Sequence, residues 1–202
     1  MPRFVTAQTI AQFRSRLCDV AAVLLAEQGI AGFNMRELAK RLRVSPMTAY
    51  RYFKDKDEIL GHLRARGFAR LADALDEART RAPAAVVRAY VRFALEEPIT
   101  YRLMFDLFPP AGPEPADLPR QQRRVRAAMN YLALMMSDAD EPESKGDVLW
   151  SALHGVVALH LAAKLDAAAF QRTLAAALQQ FAGASPGLLE PGWEPVVLSA
   201  AG

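Results

Sequence analysis

Residues 34–60 read NMRELAKRLRVSPMTAYRYFKDKDEIL and contain three helix starts in close succession. Asn34, Ser45 and Asp55 each carry a short polar side chain that can accept a hydrogen bond from the backbone of a first helical turn. A glutamate follows the first and the third by three residues, which is the spacing of a capping box, and a proline follows the second, where its missing N–H costs nothing. Only residues 43–45 separate the first two helices, and a turn of that length predicts a helix-turn-helix.

The second of these helices, predicted over residues 46–53, has an apolar and a polar face. Ala49 and Phe53 lie four residues apart and can pack together on the first helix. The other positions offer hydroxyl groups and positive charge, which suit phosphates and base edges, although a solvated amphipathic helix has the same pattern. The residues that we assign to base edges are Met47, Thr48 and Arg51, those that we assign to phosphates are Arg36, Tyr50, Tyr52 and Lys56, and Ser45 and Pro46 complete the set.

Residues 32–60 resemble the DNA-binding domain of TetR-family transcriptional regulators. The pattern of that family is an LA-x-x-L-x-VS core, then T-x-Y-x-YF, then a lysine that opens the next helix. It is matched here by Leu38, Ala39, Leu42, Val44, Ser45, Thr48, Tyr50, Tyr52, Phe53 and Lys56. Arg43 departs from it, because the family usually has glycine in the turn, and a left-handed conformation there would cost arginine about 1 kcal/mol relative to glycine. The resemblance implies repression of transcription by a DNA-binding protein.

Charge is distributed unevenly along the 202 residues. Up to Thr80 there are fourteen Lys and Arg against nine Asp and Glu, a net charge of +5, and the remainder has eleven against thirteen, a net charge of −2, which together give the overall +3. A basic N-terminal domain joined to a near-neutral body fits a nucleic-acid-binding module with a separate regulatory part. A helical adaptor that binds protein or acidic lipid through the same basic surface is the alternative.

The single cysteine and the N-terminus bear on the compartment. Cys18 cannot form an internal disulfide and is expected to be a small buried hydrophobe, although Arg14, one turn away, leaves a redox sensor open. The N-terminus has no apolar segment typical of a signal peptide. We expect a cytoplasmic protein with no part in a membrane.

The rest of the chain predicts helices and no strands. A helix should start at a Thr9 cap and close at Gly29, and another should connect the two domains over residues 56–81. The predicted fold is all-α, with a three-helix helix-turn-helix domain at 1–55, a helical ligand-binding and dimerisation domain at 56–182, and an irregular tail at 183–202. Further helices are predicted over residues 83–97, 99–105, 120–137, 148–163 and 167–181.

Residues 148–163 contain no Asp, Glu, Lys or Arg. Such a run is too short and too often interrupted for a membrane span, and a helix that is apolar all round needs cover on every side. We predict that it pairs with residues 167–181 in a homodimer, which would place two DNA-reading helices on a palindromic operator. Burial inside one subunit is the alternative.

A second resemblance concerns the regulatory domain. EPITYRLMF and LWSALHGVVALHL resemble the C-terminal domain of TetR regulators that carry a Trp…His-Gly motif, here Trp150, His154 and Gly155. Large apolar groups with sparse polar ones also fit a pocket for a small hydrophobic effector, as they fit an ordinary core. The residues predicted to line it are Phe93, Tyr101, Met104, Phe105, Met129, Trp150 and His154.

Other chemistry finds little support in the sequence. His62, His154 and His160 include no pair at the i, i+4 spacing of a helical metal site, and no Cys cluster, Gly-rich phosphate loop or nucleophile elbow occurs. We therefore predict no metal, no cofactor and no enzyme. A small helical enzyme that uses His154 is the weakest alternative.

Overall fold

The structure is a computed structural model that describes residues 6–105, 114–136 and 142–181. Within those ranges every regular element is a helix and no strand occurs, which confirms the all-α prediction. The helices are α1 (Ala7–Gly32), α2 (Met35–Arg41), α3 (Pro46–Tyr50), α4 (Lys56–Arg79), α5 (Pro83–Glu96), α6 (Pro98–Phe105), α7 (Leu118–Met136), α8 (Pro142–Leu161) and α9 (Ala167–Phe181). The predicted tail at 183–202 lies outside the described residues.

All three helix starts that were predicted in residues 34–60 are confirmed. The Asn34 side chain accepts a hydrogen bond from the N–H of Glu37 at 2.9 Å, and Ser45 accepts one from Thr48 at 3.2 Å. Asp55 accepts one from the N–H of Glu58 at 2.9 Å, at the start of α4. Each cap satisfies a backbone donor that would otherwise have no partner in the first helical turn.

The end of α2 explains how Arg43 is accommodated. Its φ is 57°, so it adopts the left-handed conformation in which the family usually has glycine. The N–H of Val44 bonds to the carbonyl of Ala39, and the N–H of Arg43 bonds to that of Lys40, each at 3.0 Å. These two bonds form a Schellman motif, which satisfies carbonyl groups at the end of α2.

Helix α1 begins earlier than predicted. Thr6, not Thr9, is its N-cap, and the Thr6 side chain accepts a hydrogen bond from the N–H of Thr9 at 3.2 Å. The chain therefore gains one helical turn before the predicted start. The helix was predicted to close at Gly29, and Gly29 does break its geometry, with φ 68° and ψ 178°, but helical turns resume after it up to Gly32.

Two further boundaries correct the predictions. The connecting helix ends at Arg79 rather than at residue 81, because Thr80 and Arg81 form turn bonds to Glu77 and Ala78 before Pro83. The uncharged helix predicted over 148–163 is α8, Pro142–Leu161, since a helix tolerates the charged residues before 148. No helix in the described parts of the chain is long and apolar enough to cross a membrane.

Helix α8 ends through the same device as α2. Ala163 has φ 54°, and the N–H groups of Lys164 and Ala163 bond to the carbonyls of Leu159 and His160, each at 2.9 Å. This Schellman motif ends the helix at Leu161, two residues before the predicted boundary. A non-glycine residue again occupies the left-handed position.

Packing divides the chain into two compact units. The first unit is Met1–Gly67 with Ile99–Leu118, and the second unit is Phe68–Pro98 with Pro119–Gly202. This division falls within α4. The predicted boundary at residue 56, between a DNA-binding and a regulatory domain, is a different kind of division and stays a prediction. Fully buried apolar residues of the first unit include Leu17, Leu24, Leu38, Ala49, Phe53 and Ile59. Those of the second unit include Leu71, Leu75, Val86, Tyr90, Val125, Met129, Leu153 and Leu174.

Ion pairs join helices within the second unit. Arg124 donates to Asp73 at 2.7 Å and to Asp76 at 2.6 Å, so it links α7 to α4. Arg126 forms a bidentate pair with Asp147 of α8. Basic residues near the start of a helix oppose its dipole, and these acidic partners offset that effect.

Candidate nucleic-acid interface

The helix-turn-helix is held together by the apolar face that the sequence predicted. Ala49 and Phe53 are buried in the same core cluster as Leu38 and Leu42 of the preceding helix, and Val44 packs against that cluster. The α3 helix is shorter than predicted, but N–H groups of Tyr52 and Phe53 still bond to the carbonyl of Ala49, so helical turns continue to Phe53. This packing leaves the opposite side of α3 facing solvent.

Six of the nine residues assigned to DNA lie on the surface. Met47 is 72% exposed and has no role in the core. Arg51 and Tyr50 are exposed at the end of α3, and α2 exposes Arg36 in its first turn. The other exposed members of the set are Ser45 and Pro46, at the start of α3. Together these side chains provide cationic and hydroxyl groups on one helix-turn-helix.

The other three members of the set are partly buried and already have contacts within the chain. The hydroxyl oxygens of Thr48 and Ser45 lie 2.9 Å apart. The Tyr52 ring packs on Phe13, with the ring centroids 4.5 Å apart. Lys56 donates from Nζ to the carbonyl of Ile30 at 3.3 Å. These three residues therefore have structural roles beside the predicted contacts with DNA.

Sequence reasoning missed a polar cluster next to α3, which we call the Arg14 cluster: Arg14, Tyr52, Glu58 and His62. Arg14 donates through Nη1 to the backbone carbonyl of Tyr52, and through Nη2 to Glu58 Oε1 at 2.8 Å. The same Nη2 lies 2.9 Å from His62 Nε2, and the guanidinium lies over the Phe53 ring, 4.1 Å from its centroid. The partners are 38 to 48 positions apart in the sequence, so no local spacing could have paired them.

Both titratable partners of Arg14 have shifted pKa values. Burial and the nearby positive charge of Arg14 lower the pKa of His62, so the imidazole is neutral near pH 7. Burial by itself would raise the pKa of Glu58, but the hydrogen bonds from Arg14 and from the N–H of Lys54 outweigh it and lower that pKa. The cluster therefore combines a cation, a carboxylate and a neutral imidazole.

The residues predicted to bind an effector are shared between the two units. Phe93, Met129, Trp150 and His154 belong to the second unit. Tyr101, Met104 and Phe105, which belong to the first unit, include a buried Met104 against Gly67. A common pocket for all seven thus remains a prediction.

Within the second unit, the Trp…His-Gly residues lie on α8. Trp150 donates from Nε1 to the hydroxyl of the buried Tyr90 at 3.2 Å. His154 is partly buried, and burial lowers its pKa, so it is neutral near pH 7. Neutral histidine and tyrosine can each donate and accept hydrogen bonds, which suits the orientation of a small polar group on an apolar ligand.

An uncharged stripe runs along α8, and we call it the Val148 stripe: Val148, Ser151 and Leu159 are exposed, and Ala152 and Gly155 are half-buried. These positions recur at helical spacing, and Val148 and Leu159 are 57% and 46% exposed. A Cβ added to Gly155 would meet no described atom within 4 Å outside the backbone of α8 itself. The complete cover predicted for this helix is therefore not provided by the described residues of a single chain.

Taken together, the short turn, the capped α3 and its exposed basic and hydroxyl side chains define a helix-turn-helix protein. Comparison with known families agrees. The model described as "Bacterial regulatory proteins, tetR family" matches residues 17–63, and that described as "Tetracyclin repressor-like, C-terminal domain" matches residues 84–181. The two matches together span more than half of the chain, and the chain belongs to the TetR family.

Individual relatives are more distant. The HTH-type transcriptional regulator Rv1816 of Mycobacterium tuberculosis is 27% identical over 114 residues, 52% of this chain and 49% of that protein. The chain thus spans about half the length of the curated relatives it matches. The solved structure of the putative regulatory protein SCO4313 has a TM-score of 0.72 at 24% identity and covers 95% of this chain and 100% of its own. That of RolR in complex with resorcinol has a TM-score of 0.59 at 22% identity and covers 87% and 90%.

These findings confirm the family predicted from residues 32–60. They also confirm the prediction that the chain is not an enzyme, because the matching families and relatives are regulators. Among the described residues, no group of three or more His, Cys, Asp or Glu side chains could hold a metal ion.

Proposed function

We propose that this protein binds specific duplex DNA in the cytoplasm as a symmetric homodimer and represses transcription. The observation that carries the proposal is the surface of α2 and α3, on which Arg36, Met47, Tyr50 and Arg51 are all exposed. Family membership supports it, because TetR proteins are regulators. In this geometry α3 enters the major groove, and two copies bind half-sites about 34 Å apart or a multiple of it.

The side chains have different roles in this proposal. Met47, Thr48 and Arg51 contact base edges and determine sequence preference. Arg36, Tyr50, Tyr52 and Lys56 contact phosphates, which positions the protein without reading sequence. Lys56 would exchange its hydrogen bond with the Ile30 carbonyl for a phosphate oxygen, or donate to both.

Selection of bound duplexes from a random DNA pool tests this function. We expect an inverted repeat whose half-site spacing matches one helical turn or a multiple of it. Arg51→Ala should relax selectivity at one position by about 1–3 kcal/mol, whereas Tyr50→Phe should weaken all duplexes alike. Arg123→Ala on α7 is the matched control, because it removes an exposed arginine outside α3 and outside the helices of the proposed dimer interface. Failure to enrich any sequence would overturn the proposal and favour the adaptor alternative.

We further propose that the dimer forms through α8 and α9, with the Val148 stripe at its centre. The stripe is uncharged, its Val148 and Leu159 are exposed, and Gly155 allows a partner helix to approach closely. Exposed in a monomer, such a patch would promote aggregation. Sedimentation at micromolar protein should give a dimer, and a monomer at every concentration would refute this interface.

The effector that we propose is a small, largely apolar molecule bound in the second unit. Trp150 and His154 would orient it, with Phe93 and Met129 as apolar walls. RolR, a protein of this fold, was crystallised with the small aromatic ligand resorcinol. By linkage, an effector that releases DNA must bind the DNA complex less tightly than the free protein, typically by about 1–3 kcal/mol.

A thermal-shift screen of small aromatic and aliphatic compounds tests the effector proposal. Stabilising compounds should also release the selected duplex, and Trp150→Ala and His154→Ala should abolish both effects. Val23→Ala serves as the comparison, because Val23 is exposed on α1 in the first unit and belongs to none of the predicted sites. Stabilisers that leave DNA affinity unchanged, and whose binding survives both substitutions, would refute the assignment.

A further inference from the structure

The Arg14 cluster is arranged so that one guanidinium serves three acceptors. Nη1 of Arg14 donates to the Tyr52 carbonyl, and Nη2 has two N–H groups for Glu58 Oε1 and His62 Nε2. Arginine has no acceptor atom, so the contact at 2.9 Å requires that His62 Nε2 be the acceptor. His62 is then neutral and carries its proton on Nδ1.

The carbonyl that Arg14 binds lies just after α3. The chain turns after Tyr50, and Phe53, which follows Tyr52, is buried beneath the Arg14 guanidinium. The Phe53 ring also meets the His62 ring edge to face, with the centroids 5.4 Å apart. Arg14 and His62 therefore hold the backbone through which α3 joins α4.

Protonation of His62 is incompatible with this arrangement. A protonated Nε2 becomes a donor, so two N–H donors and two positive charges would face each other at 2.9 Å. The charged groups around the imidazole are Arg14 on α1, Glu58 and Arg66 on α4, and Asp117 in the segment before α7. Glu58 and Asp117 favour the protonated form, while the two arginines and burial oppose it.

We propose that Arg14 is a positioning residue for the DNA-reading helix, and that it holds this helix only while His62 is a neutral acceptor. Acidification therefore weakens DNA binding by releasing Arg14 from the junction after α3. This inference rests on the proposed DNA binding. The expected loss of DNA affinity at low pH is opposite to the simple electrostatic expectation. A new positive charge on a DNA-binding unit would by electrostatics alone strengthen its attraction to phosphates.

The test measures affinity for a duplex enriched by the DNA selection, at constant ionic strength, between pH 7.5 and 5.5. The natural protein should lose about five- to tenfold in affinity on acidification, the lower end of typical coupling between two sites. His62→Gln keeps an acceptor oxygen but cannot titrate. Its affinity for DNA should therefore equal that of the natural protein at pH 7.5 and should not change on acidification. Arg14→Lys should bind weakly at both pH values, since an ammonium lacks the planar fork.

Matched controls separate this inference from a general effect of pH. His160→Gln removes an imidazole that belongs to neither the proposed DNA contacts nor the proposed effector contacts, and it should retain the full pH dependence. Burial lowers the pKa of His62, so the unfolded chain binds the proton more readily, and stability falls as pH drops below the ordinary histidine range. Circular dichroism at each pH confirms that the protein compared is folded.

Nuclear magnetic resonance of His62 provides an independent measurement. Linkage requires that the pKa of His62 be lower in the DNA complex than in the free protein. An unchanged pKa, or an equal pH dependence in His62→Gln, would overturn the inference while leaving DNA binding intact. If no duplex is enriched at all, the proposed function itself fails, and the two failures are thus distinguishable.

Discussion

The two compact units differ in where their charged and apolar side chains lie. In the first unit, Arg14 and Arg64 lie between packed elements, and each forms an ion pair with a glutamate from a distant part of the sequence. The ion pairs of the second unit lie at or near its surface, and Val148 and Leu159 of the uncharged Val148 stripe are exposed on α8. Polar networks packed between helices fix one geometry, whereas exposed apolar side chains such as Val148 and Leu159 are buried only by a further surface. The polar contacts of the first unit thus stabilise one arrangement of its helices, whereas the exposed surface of α8 in the second unit is suited to contact with another surface.

The largest expected effect comes from breaking the exposed stripe. Gly155→Arg would place a charge at the centre of the proposed dimer interface, while the added Cβ has no described atom outside the backbone of α8 within 4 Å. We expect a folded monomer in sedimentation and a loss of about a hundredfold in affinity for a palindromic duplex, as the two half-sites are no longer linked. Ala127→Arg, at an exposed position of α7, is the control and should remain dimeric. A dimeric Gly155→Arg protein would show that the stripe is not the interface.

The next effect contrasts the two glycines of α8. A Cβ on Gly146 would lie 2.1 Å from Asn130 Oδ1 and 2.9 Å from its Cα, so α7 would have to move. Gly146→Ala should therefore lower the free energy of unfolding by about 1–3 kcal/mol, although alanine favours helix. Gly155→Ala, studied at a dilution where the protein is monomeric, should be neutral or stabilising by up to about 1 kcal/mol. Equal melting temperatures for both variants would contradict the close packing at Gly146.

Two Arg–Glu pairs compare the units directly. The Arg64 side chain, paired with Glu114 in the first unit, is 9% exposed, and that of Arg70, paired with Glu97 in the second unit, is 56% exposed. Glu114→Gln should cost about 1–3 kcal/mol, because a buried guanidinium loses its counter-charge. Glu97→Gln should cost about 0–1 kcal/mol, as is usual for surface pairs. Urea unfolding measures both, and equal costs would remove the distinction between the units.

The smallest effect concerns a feature that the units share. Arg43 and Ala163 both adopt left-handed conformations in Schellman motifs, where glycine is the residue without strain. Arg43→Gly and Ala163→Gly should each raise the free energy of unfolding by up to about 1 kcal/mol, reduced by the greater flexibility of glycine in the unfolded chain. Ala152→Gly, within regular α8, should destabilise by a similar amount. A loss of stability at residues 43 and 163 would mean that the side chains matter more than the backbone.

Local signals explain what the sequence predicted well. Asn34, Ser45 and Asp55 are caps whose partners lie three residues away, so their hydrogen bonds follow from spacing alone. The α9 helix was also predicted with its observed bounds, because Phe170, Leu174 and Leu178 form a regular buried stripe. The family followed from the residues around α3.

Other features depend on contacts that no window of sequence contains. Thr6 and Thr9 carry the same side chain, so cap preference alone does not decide between them, and Thr6 is the cap that forms. Position 163, where α8 ends in a left-handed conformation, is occupied by alanine, so no glycine marks the end of this helix. The role of Arg14 required folding α1 against α4, since Glu58 and His62 lie 44 and 48 positions away. The assignments of single residues to bases, phosphates or effector stay predictions.

The one cysteine of the chain gives experimental access to the first unit. Cys18 is buried, and burial raises the pKa of its thiol despite the opposing charges of Arg66 and Arg14, which argues against a redox sensor. A thiol reagent should react with it only when α1 separates from its neighbours. Under conditions where reclosing outpaces modification, the labelling rate then reports the opening free energy of this unit alone. Opening of the first unit can thus be measured in the natural chain through the labelling rate of Cys18, without the introduction of another residue.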